Sequence, residues 1–164
     1  MTYLQAITLI HTALSLIAVV VGIRAVAGLF SDGLPPPSAR LFLTLAVLTS
    51  VTGFFFPFHG VTPAMITGVI ALLVLAAALF AFYSRQLSGA WRPIYAAGLV
   101  VSLYLLVFVG VVQAFQKIAP LAALAPTQSE PPFVATQLIV LLGFVALGWR
   151  AARLPGPAAP TGRA

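Results

Sequence analysis

Polar side chains are scarce in this chain, so the few that could do chemistry stand out. Two histidines, His11 and His59, are accompanied by a stretch from Gln113 to Phe133 that holds the only lysine, the only glutamate and three of the six glutamines. Gln113, Lys117, Gln128 and Glu130 are its principal polar groups, with Gln116, Thr127 and Ser129 beside them, and Gln137 follows shortly after. Imidazole can donate or accept a hydrogen bond near neutral pH, and amides do both at any pH. With one cation and one anion added, this inventory suits holding the polar head of an amphipathic small molecule, such as a lipid or a quinone. His11, His59, Gln113, Lys117, Gln128, Glu130 and Gln137 are accordingly the candidate ligand-binding residues.

Other chemistries find less support. Cysteine is absent, which removes disulfides, thiolate metal sites and cysteine nucleophiles together. No HxxxH or HxxE spacing occurs, so a zinc or copper centre lacks its ligand set. Ser129 could act as a nucleophile only with an orienting acid and an oxyanion hole that no motif supplies. No catalytic motif is present, and no cofactor is named by the residues. Two histidines from different helices resemble the paired transmembrane haem ligands of the cytochrome b561 family. That pattern uses facing histidines at matched depth, usually two pairs, whereas here one lies deep in a helix and the other in a loop.

The elements that must position these groups are set by composition. The chain of 164 residues is 62% hydrophobic and 6% charged, with a mean hydropathy of +1.13, far from the soluble average of about 25% charged. It reads as an all-α integral membrane protein, a bundle of five transmembrane helices forming one domain over 1–150. The spans run over about 4–29, 41–57, 63–83, 94–117 and 133–150, followed by a flexible cytoplasmic tail, 151–164. The first span has no basic run ahead of it and is read as retained, not as a secretory signal. Within it Thr8, His11, Ser15, Ala18, Gly22 and Ala25 recur at helical spacing, a small and polar stripe that should face other helices. The linker SDGLPPPSAR breaks the chain, Thr62 and Pro63 open the third span as N-cap and first-turn proline, and spans two and three form a hairpin. In the fourth span Tyr95, Gly98, Ser102, Gly110, Gln113 and Lys117 share one face.

Arg24, Arg40, Arg85, Arg92, Arg150, Arg153 and Arg163 fall on one side of this topology and Lys117 alone on the other, so the positive-inside rule puts the N-terminus outside and the C-terminus in the cytoplasm. The net charge of +6 therefore reads as a topology signal, and a nucleic-acid partner is not expected. The composition suits a bacterial inner membrane. Both histidines and the Gln113 to Phe133 stretch then gather at the outer face. Lys117 and Glu130 are expected to pair there and hold the intervening proline-rich loop as a lid. For His11 the competing reading is an interhelical hydrogen bond to a threonine or amide. Phe54, Phe55, Phe56 and Phe58 form either an interfacial cluster or the wall of a flat apolar pocket. Three functions follow: a pocket protein for an amphipathic molecule; an accessory or assembly subunit that binds a membrane partner, or a second copy, through small-residue faces; or a transporter subunit, for which an embedded carboxylate is missing.

Overall fold

The computed structural model describes residues 2–32, 34–57, 60 and 62–154. Among them the chain is helical, without strands: α1 (Tyr3–Ser31), α2 (Ala39–Gly53), α3 (Pro63–Tyr83), α4 (Trp91–Lys117), a short α5 (Ala119–Leu124) and α6 (Pro131–Ala152). Local chemistry sets most boundaries. Thr2 starts α1 with a capping box, its hydroxyl accepting from the Gln5 N–H while the Gln5 side chain accepts from the Thr2 N–H, so two of the helix's free donors are satisfied. Thr62 caps α3 by accepting from the Met65 N–H, and Pro63 occupies its first turn, as the sequence predicts. Pro93 and Pro131 likewise sit in first turns, where a missing N–H costs no intrahelical bond. This lets α4 begin at Trp91 and α6 at Pro131, each slightly ahead of the expected start.

α1, α3, α4 and α6 are each long and apolar enough to cross a bilayer. The expected second span is shorter than the other four. α2 has 15 residues, about 22 Å at 1.5 Å per residue, against a hydrocarbon core of about 30 Å. Its C-terminal end tightens as the Phe54 and Phe55 N–H groups donate to the Val51 and Thr52 carbonyls, the short-range pattern that closes a helix. The connector after α4, expected as an irregular loop, is partly wound into α5 by bonds from Leu121 and Ala122 back to Ile118.

α4 is the axle of the bundle, packing against α1, α2, α3 and α6. Each of three neighbours approaches it over a small residue. A Cβ on Gly22 of α1 would lie 2.8 Å from Leu103 Cδ1 and 2.6 Å from Phe42 Cε2; one on Gly98 would lie 3.0 Å from the Ala78 Cβ of α3; one on Gly148 of α6 would lie 3.6 Å from Val100. With no hydrophobic drive between helices in lipid, close approach over small residues supplies the packing attraction instead. Ala18, Gly22 and Ala25 of the α1 stripe are buried, as are Phe42, Leu43 and Ala46 on α2. α6 is the outlier. It packs chiefly along α4, through Phe133 edge-on to Phe115 and Phe144 against Tyr104, and only Ala151 of its residues is buried.

Two ends can be distinguished. Arg40, Arg85, Arg92, Arg150 and Arg153 lie at or near the helix termini of one, the arginine end, and His11, Lys117, Gln128, Glu130 and Gln137 in the half toward the other, the polar end. The chain has only two acidic residues, Asp32 and Glu130, and the arginines turn to aromatic faces instead: Arg40 to Phe82, Arg85 to Trp91, Arg150 to Phe30 and Arg153 to Trp149, at 5.3, 5.5, 5.6 and 3.7 Å from the ring centroids. Guanidinium over an indole or phenyl face is a favourable contact at a lipid interface, where carboxylates are few.

Candidate outer binding site

The polar end is built on a gradient of burial. Along the α1 stripe Ala25, Gly22 and Ala18 are fully enclosed, while Ser15, His11 and Thr8 are only half-buried. α4 shows the same trend. Gln113 stands five turns beyond Tyr95 at about 3.6 residues per turn, hence on the same azimuth; Tyr95 is 0% exposed, yet Gln113 is exposed. Gly110, two turns beyond the enclosed Leu103, has no atom within 4 Å of its would-be Cβ. The face of α4 that closes against its neighbours at the arginine end is therefore open at the polar end.

His11 sits on the wall of this opening, and its proton can be placed. The Thr52 hydroxyl lies 3.0 Å from His11 Nδ1 and donates its own hydrogen to the Thr49 carbonyl at 3.0 Å. A hydroxyl has one hydrogen, so with that hydrogen on the Thr49 carbonyl the Thr52 oxygen accepts from His11, which assigns the N–H to Nδ1. In the neutral imidazole Nε2 is left as an acceptor with no protein partner among the described residues. Phe56 meets the ring edge-on at 5.4 Å, and Gly53 leaves the space in which Cε1 lies, 3.5 Å from where a Cβ would stand. The Ser15 hydroxyl donates to the His11 carbonyl, and Tyr3 donates to the Phe55 carbonyl, tying the start of α1 to the end of α2. One further hydroxyl, Thr49 Oγ1, is buried without a partner.

The remaining candidates separate into two groups. Gln113 and Lys117 are exposed on the last turns of α4. Gln128 and Gln137 instead fasten the neighbouring chain to α4. Gln128 Nε2 donates to the Val112 carbonyl at 3.4 Å and Gln137 Nε2 to the Phe108 carbonyl at 3.2 Å, two acceptors one helical turn apart. Gln128 adopts φ +60, a left-handed conformation uncommon outside glycine, and the bond to α4 helps hold it. Because Phe108 offers only an acceptor, the Gln137 amide must point its nitrogen there, and its Oε1 is buried without a partner. His59 lies outside the described residues, as does Phe58.

The expected Lys117–Glu130 pair does not form. Glu130 folds its carboxylate into its own turn, accepting from the Thr127 N–H at 3.1 Å, the Thr127 hydroxyl at 3.0 Å and the Ser129 N–H at 3.1 Å. The short Thr127–Ser129 hydroxyl contact closes the same turn. Desolvation tends to raise the Glu130 pKa, but these local bonds outweigh it and hold the carboxyl below its usual range. Three donors at hydrogen-bond distance satisfy a carboxylate better than a flexible lysine that must be immobilised to reach it. The turn before α6 is thus closed on itself by Glu130, and the first turn of α6 has no side-chain cap.

Sequence reasoning missed Thr52 and Arg40. Thr52 is one of several hydroxyls in α2, and only the α1–α2 register singles it out. Arg40 carries a sequence signal, an arginine three residues after a triple proline with its nearest carboxylate in the chain eight residues back, at Asp32. Among the described residues no three His, Asp or Glu side chains come together. No family model, curated protein or solved structure matches this chain.

Proposed function

We propose that the polar end is a binding site for an amphipathic small molecule, a lipid or quinone-like compound, entering between α1 and α4. The observation that carries this reading is the opening along α4, where Gly110 and Gln113 lack the cover that Leu103 and Tyr95 have, with the half-buried His11 of α1 at the same end. An apolar body can lie against Phe56 and the uncovered small-residue faces, while a hydroxyl or N–H of its head donates to His11 Nε2. Gln113 and Lys117 stand at the rim, where one can donate or accept and the other can meet a carbonyl or an anion. Thr52 fixes the tautomer, so the acceptor is ready before the ligand arrives. By the positive-inside rule the arginine end faces the cytoplasm and the polar end the outside, with α2 and its aromatic extension completing a fifth crossing.

Native mass spectrometry of the gently solubilised full chain tests this. The wild type should retain a small amphipathic adduct, and His11→Leu, which keeps the apolar volume but removes the acceptor, should lose it. Retention of the adduct by His11→Leu would contradict the site. A co-purifying protein in place of any small molecule would favour the accessory-subunit reading, in which the same uncovered faces are filled by a partner helix.

A further inference from the structure

At the opposite end two clefts meet at one residue. One, of about 250 Å³, runs between α2 and α3 and is lined by Arg40, Leu43, Val47, Leu48, Leu79 and Tyr83. The other, of about 280 Å³, is formed by Pro35, Pro36, Pro37 and Arg40. Arg40, Leu43 and Val47 follow helical spacing, so the guanidinium closes one end of an apolar furrow about two turns, or about 10 Å, long. Among the described residues that guanidinium has no carboxylate partner. Glu130 is at the other end of the bundle, and Asp32, the only other acidic residue, is engaged by Ser31 at 3.2 Å. One face of the Arg40 group rests over Phe82, leaving its in-plane N–H groups available. Ser38, in the N-cap position of α2, makes no side-chain capping bond, so the first-turn amides add positive potential beside it. Exposed Tyr83 and the Arg85–Trp91 and Arg153–Trp149 pairs lie at the same end, the composition of a headgroup-level belt.

We propose that this furrow is a site for an anionic glycerophospholipid, its phosphate on Arg40 and the start of an acyl chain along Leu43, Val47, Leu48 and Leu79. The charge is what identifies the occupant: a fixed cation without a carboxylate, at the end of an apolar groove on helices that face lipid, calls for an anion joined to hydrocarbon. The assignment is independent of the site at the polar end and of which leaflet the arginine end occupies.

The test titrates the purified full-length protein in mild detergent with phosphatidylglycerol, and separately with phosphatidylcholine and with glycerol phosphate, reading bound lipid by native mass spectrometry. Phosphatidylglycerol should bind in preference to both. Arg40→Gln should weaken it about five-fold, the usual worth of one arginine at an anionic surface. Leu48→Trp, which fills the furrow and leaves every charge in place, should weaken it comparably and decides the matter if Arg40→Gln does not fold. Arg24→Gln, which removes an exposed arginine outside the clefts, should leave binding unchanged. Equal binding of phosphatidylcholine, equal competition by glycerol phosphate, or an equal loss in Arg24→Gln would overturn the proposal.

Discussion

The two ends of this bundle use the same helices differently. At the arginine end the inward face of α4 is enclosed, with Tyr95, Ala96, Leu99 and Val100 at 0 to 1% exposure, and its neighbours approach over glycine and alanine. At the polar end Gly110 and Gln113, on the same face of α4, are uncovered, while α1 keeps Ile7 buried beside the half-buried Thr8 and His11. Close packing is therefore concentrated at one end and accessible polar groups at the other, the division expected when a rigid scaffold carries a site.

Substitutions on matched positions break or sharpen this comparison. The largest effect belongs to Phe42→Ala: the ring is fully buried against Gly22, and its loss should cost about 3 to 5 kcal/mol, read as a fall in thermal stability in detergent. Next, Gly22→Val should cost about 1 to 3 kcal/mol or more, because its Cβ alone already collides with Phe42 and Leu103, an overpacking that a tight crossing cannot absorb. Gly110→Val, on the equivalent face of the open end, should stay within about 0.5 kcal/mol. A loss at Gly110 as large as at Gly22 would mean the polar end is closed. Thr52→Val should cost about 1 kcal/mol and, by freeing the tautomer of His11, weaken retention of any adduct. Thr52→Ser, which keeps the acceptor, should preserve retention.

The smallest effect concerns Glu130 and has a definite pH direction. Its pKa is lower in the folded chain than in an unfolded one, so its contribution is present above the ordinary glutamate range, about pH 4 to 5, and is lost as pH falls through the depressed folded value. The protection factors of the Thr127 and Ser129 amides, which correct for the intrinsic pH dependence of exchange, should fall over that acidic window, and Glu130→Gln should show faster exchange at neutral pH. Lys117→Met should leave this exchange unchanged, since the lysine takes no part in the turn.

Much of the frame was legible in the sequence and much of the site was not, for reasons that differ in kind. The helices follow from long apolar runs, and the caps at Thr62 and the prolines follow from backbone chemistry local to a few residues. The buried half of the α1 stripe follows from its small residues. What the sequence could not show was where burial stops, because Ala25 and His11 share one periodic face, yet one is enclosed and the other half-buried. Lys117 and Glu130 invite pairing by scarcity, yet the backbone N–H groups of the Thr127 turn are nearer than any side chain. Gln128 and Gln137 read as free amides until the α4 carbonyls facing them are known. The partner of His11 was legible only as a type, a threonine or amide, and the register of α1 on α2 selects Thr52.

Thiol accessibility in a chain that has no native cysteine tests the open polar end most directly. Gly110→Cys, Gln113→Cys and Ser102→Cys are treated in intact cells with a membrane-impermeant maleimide, which needs a thiolate and hence a hydrated site. Labelling of Gly110→Cys and Gln113→Cys but not of the buried Ser102→Cys is the predicted result, with Ser88→Cys at the arginine end protected until the membrane is permeabilised. A Gly110→Cys that stays unreactive after permeabilisation would place that face in lipid or against a partner, and the water-open site at the polar end would be contradicted.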